Sequence, residues 1–464
     1  MDSYLKLLSK FSIGVFGRAV VSLITMKILS SLYSPSDFGV FSMFNTVHSV
    51  LLLVSLLGTN YAFQRFYYES EDRGRLLGAC VTTSLISFAA VSTATLICWK
   101  CAARFISARE DPFVTTLLLS SVFLSVVQTF SMQIIQFERM AGTYSSLLIS
   151  QNLIFTILIA VFSKSLKSYH SLLISNAISL FTIALIASML SSKRVVLRRA
   201  NFDEMRAVFK YGLSWSTALF SSWLIIWSDR ILIRYMLGMK EVGMYSMALK
   251  VSAIMILLQN SFYNFWQPVA YKRFSEFPND QKFFSKALNV VALISLATAF
   301  LVITFLNVFK ILISPRYYDS LSIVPLLLIP PVSRMMYLVT DKGIDFTKKV
   351  HWYYITSLSG AALNIALNVF TIPRFGTAGA AMSTALSFTF LFYFRTLVSM
   401  KLYKVGYDML KVSLGLTLIW IISTLVVFSN TDEKIAVVGM IFTLLLYRKE
   451  TKEIVRRVER WFTR

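Results

Sequence analysis

Apolar runs of about 20 residues recur along most of this 464-residue chain, separated by short polar segments. Each run is long enough to cross a hydrocarbon layer as an α-helix. The pattern therefore predicts an all-α polytopic membrane protein with about 14 (12 + 2) transmembrane helices. The predicted spans cover residues 11–32, 40–62, 76–99, 113–135, 146–163, 170–190, 211–233, 243–266, 287–313, 321–340, 350–372, 378–400, 410–428 and 435–447.

The spacing of these spans predicts two similar halves joined by a short polar segment. In the linker, Asn201 followed three residues later by Glu204 is a capping pattern, which predicts the start of a short helix along the membrane surface. The predicted domains are an N-terminal six-helix bundle at 1–190, a cytoplasmic linker helix at 191–210, a C-terminal six-helix bundle at 211–400, two additional transmembrane helices at 401–447 and a basic amphipathic cytoplasmic tail at 448–464.

An internal repeat supports the division into halves. The stretch from Asp37 to Met43 reads DFGVFSM, and the stretch from Glu241 to Met247, about 204 residues later, reads EVGMYSM. A two-helix unit placed at the start of each half is typical of internally repeated transporters. A weaker match of 364–383 with 152–179 fits generic hydrophobic similarity equally well when taken alone.

Composition places the chain in the membrane class and explains most of its charge. It is 56% hydrophobic with a formal net charge of +23. On a soluble protein this charge would indicate nucleic acid. Here roughly 29 basic residues fall on one side of the predicted spans and about 10 on the other, which is the pattern that sets membrane orientation. Both termini are therefore predicted to be cytoplasmic, where anionic phospholipid would attract the basic surface.

The cysteines and histidines do not predict a metal or cofactor site. Cys98 and Cys101 form a C-x-x-C, which is either a redox pair or two cysteines at one helix end. The second interpretation is favoured because no βαβ context surrounds them. His48, His170 and His351 are scattered along the chain and form no ligand cluster.

Three stretches carry a resemblance to a known family. They are SPSDFG at 34–39 before the second span, Asp229-Arg230 followed by VGMYS at 242–246, and IPRFGTAGAA at 372–381. They resemble the Wzx-type flippases of lipid-linked polysaccharide (O-antigen or oligosaccharide repeat units), within the multidrug/oligosaccharidyl-lipid/polysaccharide exporter superfamily. The resemblance covers nearly the whole chain, and the order of its motifs is more specific than any one of them.

The resemblance implies two six-helix bundles around a central cavity, sometimes with two extra C-terminal helices. It implies a transporter rather than an enzyme, which moves undecaprenyl-diphosphate-linked oligosaccharide from the inner to the outer leaflet of the bacterial cytoplasmic membrane by alternating access. The implied partners are that glycan and, further, a glycan polymerase and chain-length machinery. The motifs support the scaffold and leave the sugar unidentified.

Two cations lie within the first span. Arg18 shares a helix face with Ser22 and Thr25, and this small polar face predicts a position lining the cavity. The alternative is an internal pair with an acid or a carbonyl. Lys27 lies on the opposite face, near enough to the outer end for its ammonium to reach the interface, and it is the less specific candidate for substrate contact.

Further charges lie within the seventh, eighth and tenth spans. Asp229 and its neighbour Arg230 point about 100° apart, so they cannot simply pair with each other. Asp229 is predicted to pair with a cation from another helix or to take up a proton during transport. Arg230 and Arg234 share a face, and Lys250 follows one turn after Ser246 on the next helix.

Arg334 follows Pro330-Pro331, which are predicted to break the tenth span and expose backbone to a cavity. Charges inside apolar helices are costly, so we expect them to face a cavity or a partner. The hypothesis is that a cationic lining accompanies the diphosphate of the substrate. Uncharged amides offer hydrogen bonds to sugar hydroxyls or, equally, between helices: Gln128, Gln133, Gln259 and Asn260.

Three other classes of function compete with this interpretation: a drug extruder, a membrane enzyme, and a channel or passive scaffold. An ion-coupled extruder of cationic drugs or metabolites within the same fold group would require acidic residues in its spans. This chain has one clear example. A membrane glycan polymerase or ligase would need catalytic carboxylates, but the sequence has no Asp-x-Asp metal signature and no phosphate-binding Gly-x-x-x-x-Gly-Lys loop.

Overall fold

The computed structural model describes residues 2–166, 168–278, 280–429 and 431–462. Within these ranges, side chains are described from residue 17 to residue 456, except at 217, 218 and 222. Within those residues the regular structure is helical and includes no strand. Ten of the described helices are long and apolar enough to cross a membrane, and the shorter apolar helix Ile435–Leu446 follows them. The all-α polytopic membrane fold predicted from the sequence is therefore confirmed.

The chain divides into two compact units. Unit 1 contains the residues up to Ile231 together with Gly238–Gly243, and unit 2 contains Leu232–Leu237 together with the residues from Met244 onward. The predicted domain boundaries at 190, 210 and 400 stay a prediction.

Unit 1 is built from helices that pair along their length. Helix α1 packs along α7, α6 packs along α8, and α2 contacts both α4 and α6. The start of α2 is fixed locally, since the Ser34 hydroxyl accepts a hydrogen bond from the Asp37 backbone N–H and Pro35 occupies the first turn. The helices are α1 (Asp2–Leu32), α2 (Pro35–Leu56), α3 (Thr59–Phe66), α4 (Arg73–Ile97), α5 (Trp99–Ser107), α6 (Pro112–Phe137), α7 (Ala141–Phe162), α8 (Tyr169–Ser192) and α9 (Phe202–Met236).

The predicted capping pattern at the start of α9 is present. The Asn201 backbone N–H donates to Glu204 Oε2 at 2.9 Å, and the Glu204 N–H donates to Asn201 Oδ1 at 2.8 Å. However, α9 continues without interruption from Phe202 to Met236. The structure thus has one long helix where the sequence predicted a surface helix followed by a separate span, because no proline stands between the two.

The polar segment before α9 is pinned to α4 through two small residues. A Cβ at Gly78 would lie 1.9 Å from the Arg198 carbonyl oxygen, and one at Gly74 would lie 2.4 Å from that of Val196. Arg198 also pairs with Asp72, the N-cap of α4, at 3.0 Å. Backbone N–H donation from Arg75, followed by the Arg198 guanidinium, lowers the pKa of Asp72.

Unit 2 is organised around α13, which is buried almost throughout and packs against α11, α15 and α16. A 3₁₀ segment, Pro315–Ile323, precedes it. The helices of unit 2 are α10 (Met239–Glu276, whose first residues belong to unit 1), α11 (Gln281–Thr304), α12 (Phe309–Leu312), α13 (Val324–Thr340), α14 (Lys342–Phe346), α15 (His351–Leu402), α16 (Met409–Phe428), α17 (Ile435–Leu446) and α18 (Arg448–Phe462).

Helix α15 contains both predicted spans 350–372 and 378–400, divided at a sharp turn. Gly376 has φ 59° and ψ −139°, a conformation that favours glycine. Beyond the turn the chain folds back, and the Thr371 hydroxyl donates to the Gly379 carbonyl at 3.0 Å. The proline-glycine motif therefore marks a hairpin. Residues 463–464 of the predicted amphipathic tail lie outside the described residues, and helix α18 covers the rest of it.

The repeated sequence motif has a structural partner in its own copy. Gly39 in α2 and Gly243 in α10, both in unit 1, occupy matching places in the repeat. A Cβ at Gly39 would lie 1.9 Å from the Met239 carbonyl oxygen, and one at Gly243 would lie 1.8 Å from that of Pro35. The two helix starts therefore cross in direct backbone contact, which only glycine permits.

We predict that Gly39→Ala destabilises the protein by about 1–3 kcal/mol or more, because the added methyl group meets rigid backbone and forces α2 away from α10. Gly142→Ala is the matched control, since a Cβ at that helical glycine has no neighbour within 4 Å. The midpoint of thermal unfolding of the solubilised full chain measures both. Equal midpoints for the two variants would contradict the contact.

Candidate functional site

The seven charged residues predicted to act in transport divide between the two units. Arg18, Lys27, Asp229 and Arg230 belong to unit 1, and Arg234, Lys250 and Arg334 belong to unit 2.

Arg18 is exposed on α1 and acts electrostatically on Tyr144 of α7. Among the described residues it takes part in no ion pair, so the predicted alternative of an internal pair with an acid is not observed. The rest of its predicted face behaves differently. Thr25 is buried against α7, with its hydroxyl 2.6 Å from that of Thr156. At Thr25 the small polar face of α1 therefore contacts α7, whereas Arg18 on the same face is accessible.

Lys27 is exposed near the end of α1, which agrees with a side chain that can extend to an interface. Its backbone carbonyl accepts hydrogen bonds from the hydroxyls of Ser30 and Ser31.

Asp229 and Arg230 occupy different environments on α9. The Asp229 side chain is 2% exposed, whereas Arg230 is half-buried. The Arg230 guanidinium stacks 4.5 Å from the centre of the Trp227 ring and donates to the Ile226 carbonyl at 3.3 Å. Arg234 is half-buried one turn further along. Arg230 and Arg234 thus sit on one face of a helix whose neighbouring face buries a carboxyl group.

Lys250 on α10 and Arg334 on α13 are both half-buried. The predicted break at Pro330 and Pro331 is wrong, because α13 runs through both prolines from Val324 to Thr340. Every residue of α13 except Arg334 is buried, so packing from neighbouring helices holds the helix in shape despite the missing N–H groups. The Nε of Arg334 is buried and has no hydrogen-bond partner among the described residues, which leaves a cationic donor unused.

Two of the predicted amides serve as bonds between helices. The Gln128 amide donates to Gln151 Oε1 at 3.0 Å, and the Gln133 amide donates to the Asn60 carbonyl at 3.2 Å. For these two residues the structure supports the structural alternative over contact with sugar hydroxyls.

A buried charged cluster in unit 2 was missed by the sequence analysis. Lys342 is 2% exposed and donates to Asp345 Oδ2 at 2.7 Å and to Gln267 Oε1 at 3.2 Å. Its ammonium also lies 3.6 Å from Asp341 Oδ1. The Tyr353 hydroxyl donates to Asp345 Oδ1 at 2.9 Å. The cluster therefore holds two carboxylates around one ammonium group at the end of α13.

Arg395 completes this cluster from the second half of α15. Its Nε donates to the Thr356 hydroxyl at 3.1 Å and its Nη2 to the Ser357 hydroxyl at 2.6 Å. The guanidinium also lies 4.7 Å from the Tyr337 ring centre and 5.1 Å from that of Tyr353. Its position within the predicted span 378–400 was the signal in the sequence that could have revealed it.

Comparisons with known proteins agree with this architecture. A family model described as polysaccharide biosynthesis protein matches residues 28–322. The chain is 19% identical over 358 residues to the probable low-salt glycan biosynthesis flippase Agl15 of Haloferax volcanii, covering 76% of this chain and 74% of that protein.

Two solved structures share the fold. The lipid II flippase MurJ in an inward closed conformation has a TM-score of 0.72 at 14% identity, covering 97% of this chain and 99% of that chain. An inward-facing multidrug resistance transporter of the MATE family, in the MOP superfamily, has a TM-score of 0.65 at 13% identity, covering 85% and 98%. These relatives are flippases and transporters by description, in agreement with the prediction that the chain is not an enzyme.

We predict that Lys342→Met lowers the free energy of unfolding by about 3–5 kcal/mol, because it leaves Asp345 as a buried carboxylate without its cation. Lys286→Met is the matched control. It removes the ion pair with Glu453 at 2.6 Å, which is largely exposed, and is expected to cost less than about 1 kcal/mol. Thermal unfolding of both variants in one detergent makes the comparison, and similar losses would show that the buried pair is no stronger than the exposed one.

Proposed function

The chain belongs to the polysaccharide biosynthesis protein family, and on that premise we propose that it is a flippase for a lipid-linked glycan. The proposed substrate is an undecaprenyl-diphosphate-linked oligosaccharide, which moves from the inner to the outer leaflet of the bacterial cytoplasmic membrane by alternating access. The glycan flippase Agl15 and the lipid II flippase MurJ, both similar to this chain, support this class of substrate.

The observation that carries the proposal is the state of Arg334. A guanidinium has five N–H donors and cannot be deprotonated in a protein. In α13 its Nε is withdrawn from water, and the described protein groups provide no acceptor for it. A buried N–H group that makes no hydrogen bond costs about 1–3 kcal/mol. A site that keeps such a group is therefore stabilised when it binds an anion. A phosphate oxygen is a suitable acceptor, since guanidinium and phosphate match in planar, two-point geometry.

Charge balance gives the same direction for the remaining candidates. A diphosphate carries about two negative charges, and each ion removed from water into an apolar medium costs several kcal/mol unless it is compensated. Arg18, Arg230, Arg234, Lys250 and, nearer the interface, Lys27 are the cations proposed to supply that compensation along the route. Asp229 is proposed as the acid that pairs with one of them or exchanges a proton.

An extruder of organic cations is less well supported by these side chains. Such a substrate requires carboxylates that a ligand can reach, but Asp229 and Asp341 are buried. Asp345 is already bound by Lys342 and Tyr353. The likeness to the multidrug transporter is one of fold alone.

The proposed placement follows from the basic residues. The chain is a multi-pass protein, and the bias of lysine and arginine supports the proposal that it lies in the bacterial cytoplasmic membrane with both termini in the cytoplasm. Anionic phospholipid would contact the cytoplasmic face, and a glycan polymerase with its chain-length machinery would receive the exported units.

We predict that Arg334→Gln lowers surface glycan about tenfold or more in a deletion strain rescued with the variant gene. Loss of a hydrogen bond to a charged group costs about 1.5–3 kcal/mol, and Arg334→Lys should retain part of the activity because it keeps the charge without the fork. Arg18→Ala, Arg230→Ala and Lys250→Ala are each expected to reduce surface glycan as well.

Arg316→Gln is the matched control, since this arginine is exposed in the 3₁₀ segment of the same unit. Membrane levels of every variant are measured through a fluorescent fusion, so that loss of glycan is separated from loss of protein. Wild-type levels of surface glycan in all of Arg334→Gln, Arg18→Ala, Arg230→Ala and Lys250→Ala would refute the cationic route.

A further inference from the structure

Unit 2 contains a titratable group that carriage of a diphosphate does not require. We propose that Asp341 is a reversible proton-binding site and that its proton is exchanged during the transport cycle. The coupling to transport rests on the flippase function proposed above, whereas the proton site itself does not depend on the nature of the cargo.

The environment of the Asp341 carboxyl group is the first argument. The residue is 3% exposed, and its Oδ1 accepts no hydrogen bond from the described residues. Burying a carboxylate that lacks hydrogen bonds is far more costly than burying the neutral acid. A proton on Asp341 removes that cost without any rearrangement of the backbone.

Both nearby cations make their shortest contacts with groups other than Asp341. The Lys342 ammonium makes its short contact, 2.7 Å, with Asp345 and lies 3.6 Å from Asp341. The Arg395 guanidinium directs its Nε and Nη2 at the hydroxyls of Thr356 and Ser357. Asp345 therefore has both an ammonium and a tyrosine hydroxyl as donors, while Asp341 lacks an equivalent set at Oδ1.

Because Lys342 lies between two carboxylates, its ammonium group has a second position available to it. A small movement of its flexible stem would bring the ammonium into hydrogen-bond contact with Asp341. In that state Asp341 is ionised: its O–H bond breaks, the electron pair stays on the oxygen and the proton leaves to water. When the ammonium returns to Asp345, the Asp341 carboxylate takes up a proton from water and its O–H bond forms again. Contact with the ammonium and proton occupancy at Asp341 therefore exclude each other.

The cluster is close in sequence to an exposed turn. Residues 341–344 are buried, 345–347 are half-buried and 348–350 are exposed, so burial falls steadily along the turn between α14 and α15. Asp345 stands at the boundary, with 14% of its side chain exposed. Water at the turn can reach Asp345 first, and the shared ammonium links Asp345 to Asp341.

Charged and titratable groups face Asp341 from each element packed around it, and each affects its proton occupancy. Positive groups favour the ionised form and negative groups the neutral form. The groups are Lys342 and Asp345 of α14, Tyr271 of α10, Tyr353 and Arg395 of α15, and Tyr407 of the segment after α15.

Infrared difference spectroscopy of the full-length protein in liposomes tests the site directly. Spectra taken while the buffer passes from acidic to alkaline should show loss of the carbonyl stretch of a protonated, buried carboxyl group. Asp341→Asn, which keeps the shape of the neutral acid, should abolish that band. Asp280→Asn is the matched control, since this acid outside the helices is bound by Arg273 and should leave the band unchanged.

A second variant keeps the test decisive if Asp341→Asn fails to fold. Asp341→Glu retains a carboxyl group and should shift the frequency of the band. Absence of the band in the wild-type protein, or its persistence unshifted in both Asp341 variants, overturns the proposal.

Transport is measured separately in the same liposomes with a fluorescent undecaprenyl-diphosphate-linked sugar. Flipping by the wild type should accelerate when a pH gradient is imposed, and flipping by Asp341→Asn should lose that response. A titrating Asp341 band without flipping would refute the flippase proposal and support the proton site. Flipping that ignores the gradient in the wild type would refute the coupling.

Discussion

The cost of removing a charge from water is the constraint on which the rest of this structure depends. Apolar helices fill most of the chain, so each ionised side chain within them needs a partner, a ligand or a proton. Lys342 meets the constraint through Asp345 and Gln267, and Arg395 meets it through two hydroxyls and two aromatic rings. Arg334 keeps an unused buried donor, and this difference separates a structural charge from one held for a ligand.

Within unit 2 the charges of the Lys342 cluster and the charge of Arg334 have different roles. In the cluster around Lys342, two carboxyl groups face an ammonium and a guanidinium group. The cluster is therefore neutral when both carboxyl groups are ionised and carries one positive charge when Asp341 holds a proton. Arg334 of α13, in contrast, keeps a buried Nε–H group with no acceptor among the described residues, and an anionic ligand is proposed to accept a hydrogen bond from it.

The periodicity and length of the apolar runs predicted the fold more completely than they predicted the site. The spans, the repeat around Gly39 and Gly243, and the capping pattern at Asn201 depend on neighbours close in sequence, and each was readable. The continuity of α9 was not, because a helix start with a polar first turn resembles a surface helix whether or not a span follows. The helix through Pro330 and Pro331 was missed because packing on all sides outweighed a local rule.

The site residues depend on contacts between distant segments, which a single sequence does not show. Asp341, Lys342 and Asp345 stand at the end of a predicted span, where charges are ordinary, and their burial is imposed by helices that are remote in the chain. Arg395 was visible inside a span, but its hydroxyl partners were not. Thr25 was predicted to share a cavity-lining face with Arg18, but its neighbour is α7 rather than an open cavity.

The reciprocal contact of Gly39 with Gly243 limits how the two copies of the repeat can diverge. Each glycine is enclosed by the main chain of the other copy, so no change of side chain nearby can make room for a substitution. Two segments that descend from one ancestral segment would in this way each serve as the mould for the other. Elsewhere the copies can drift apart independently, but here a lasting alteration in one demands a matching shift of backbone in its sister.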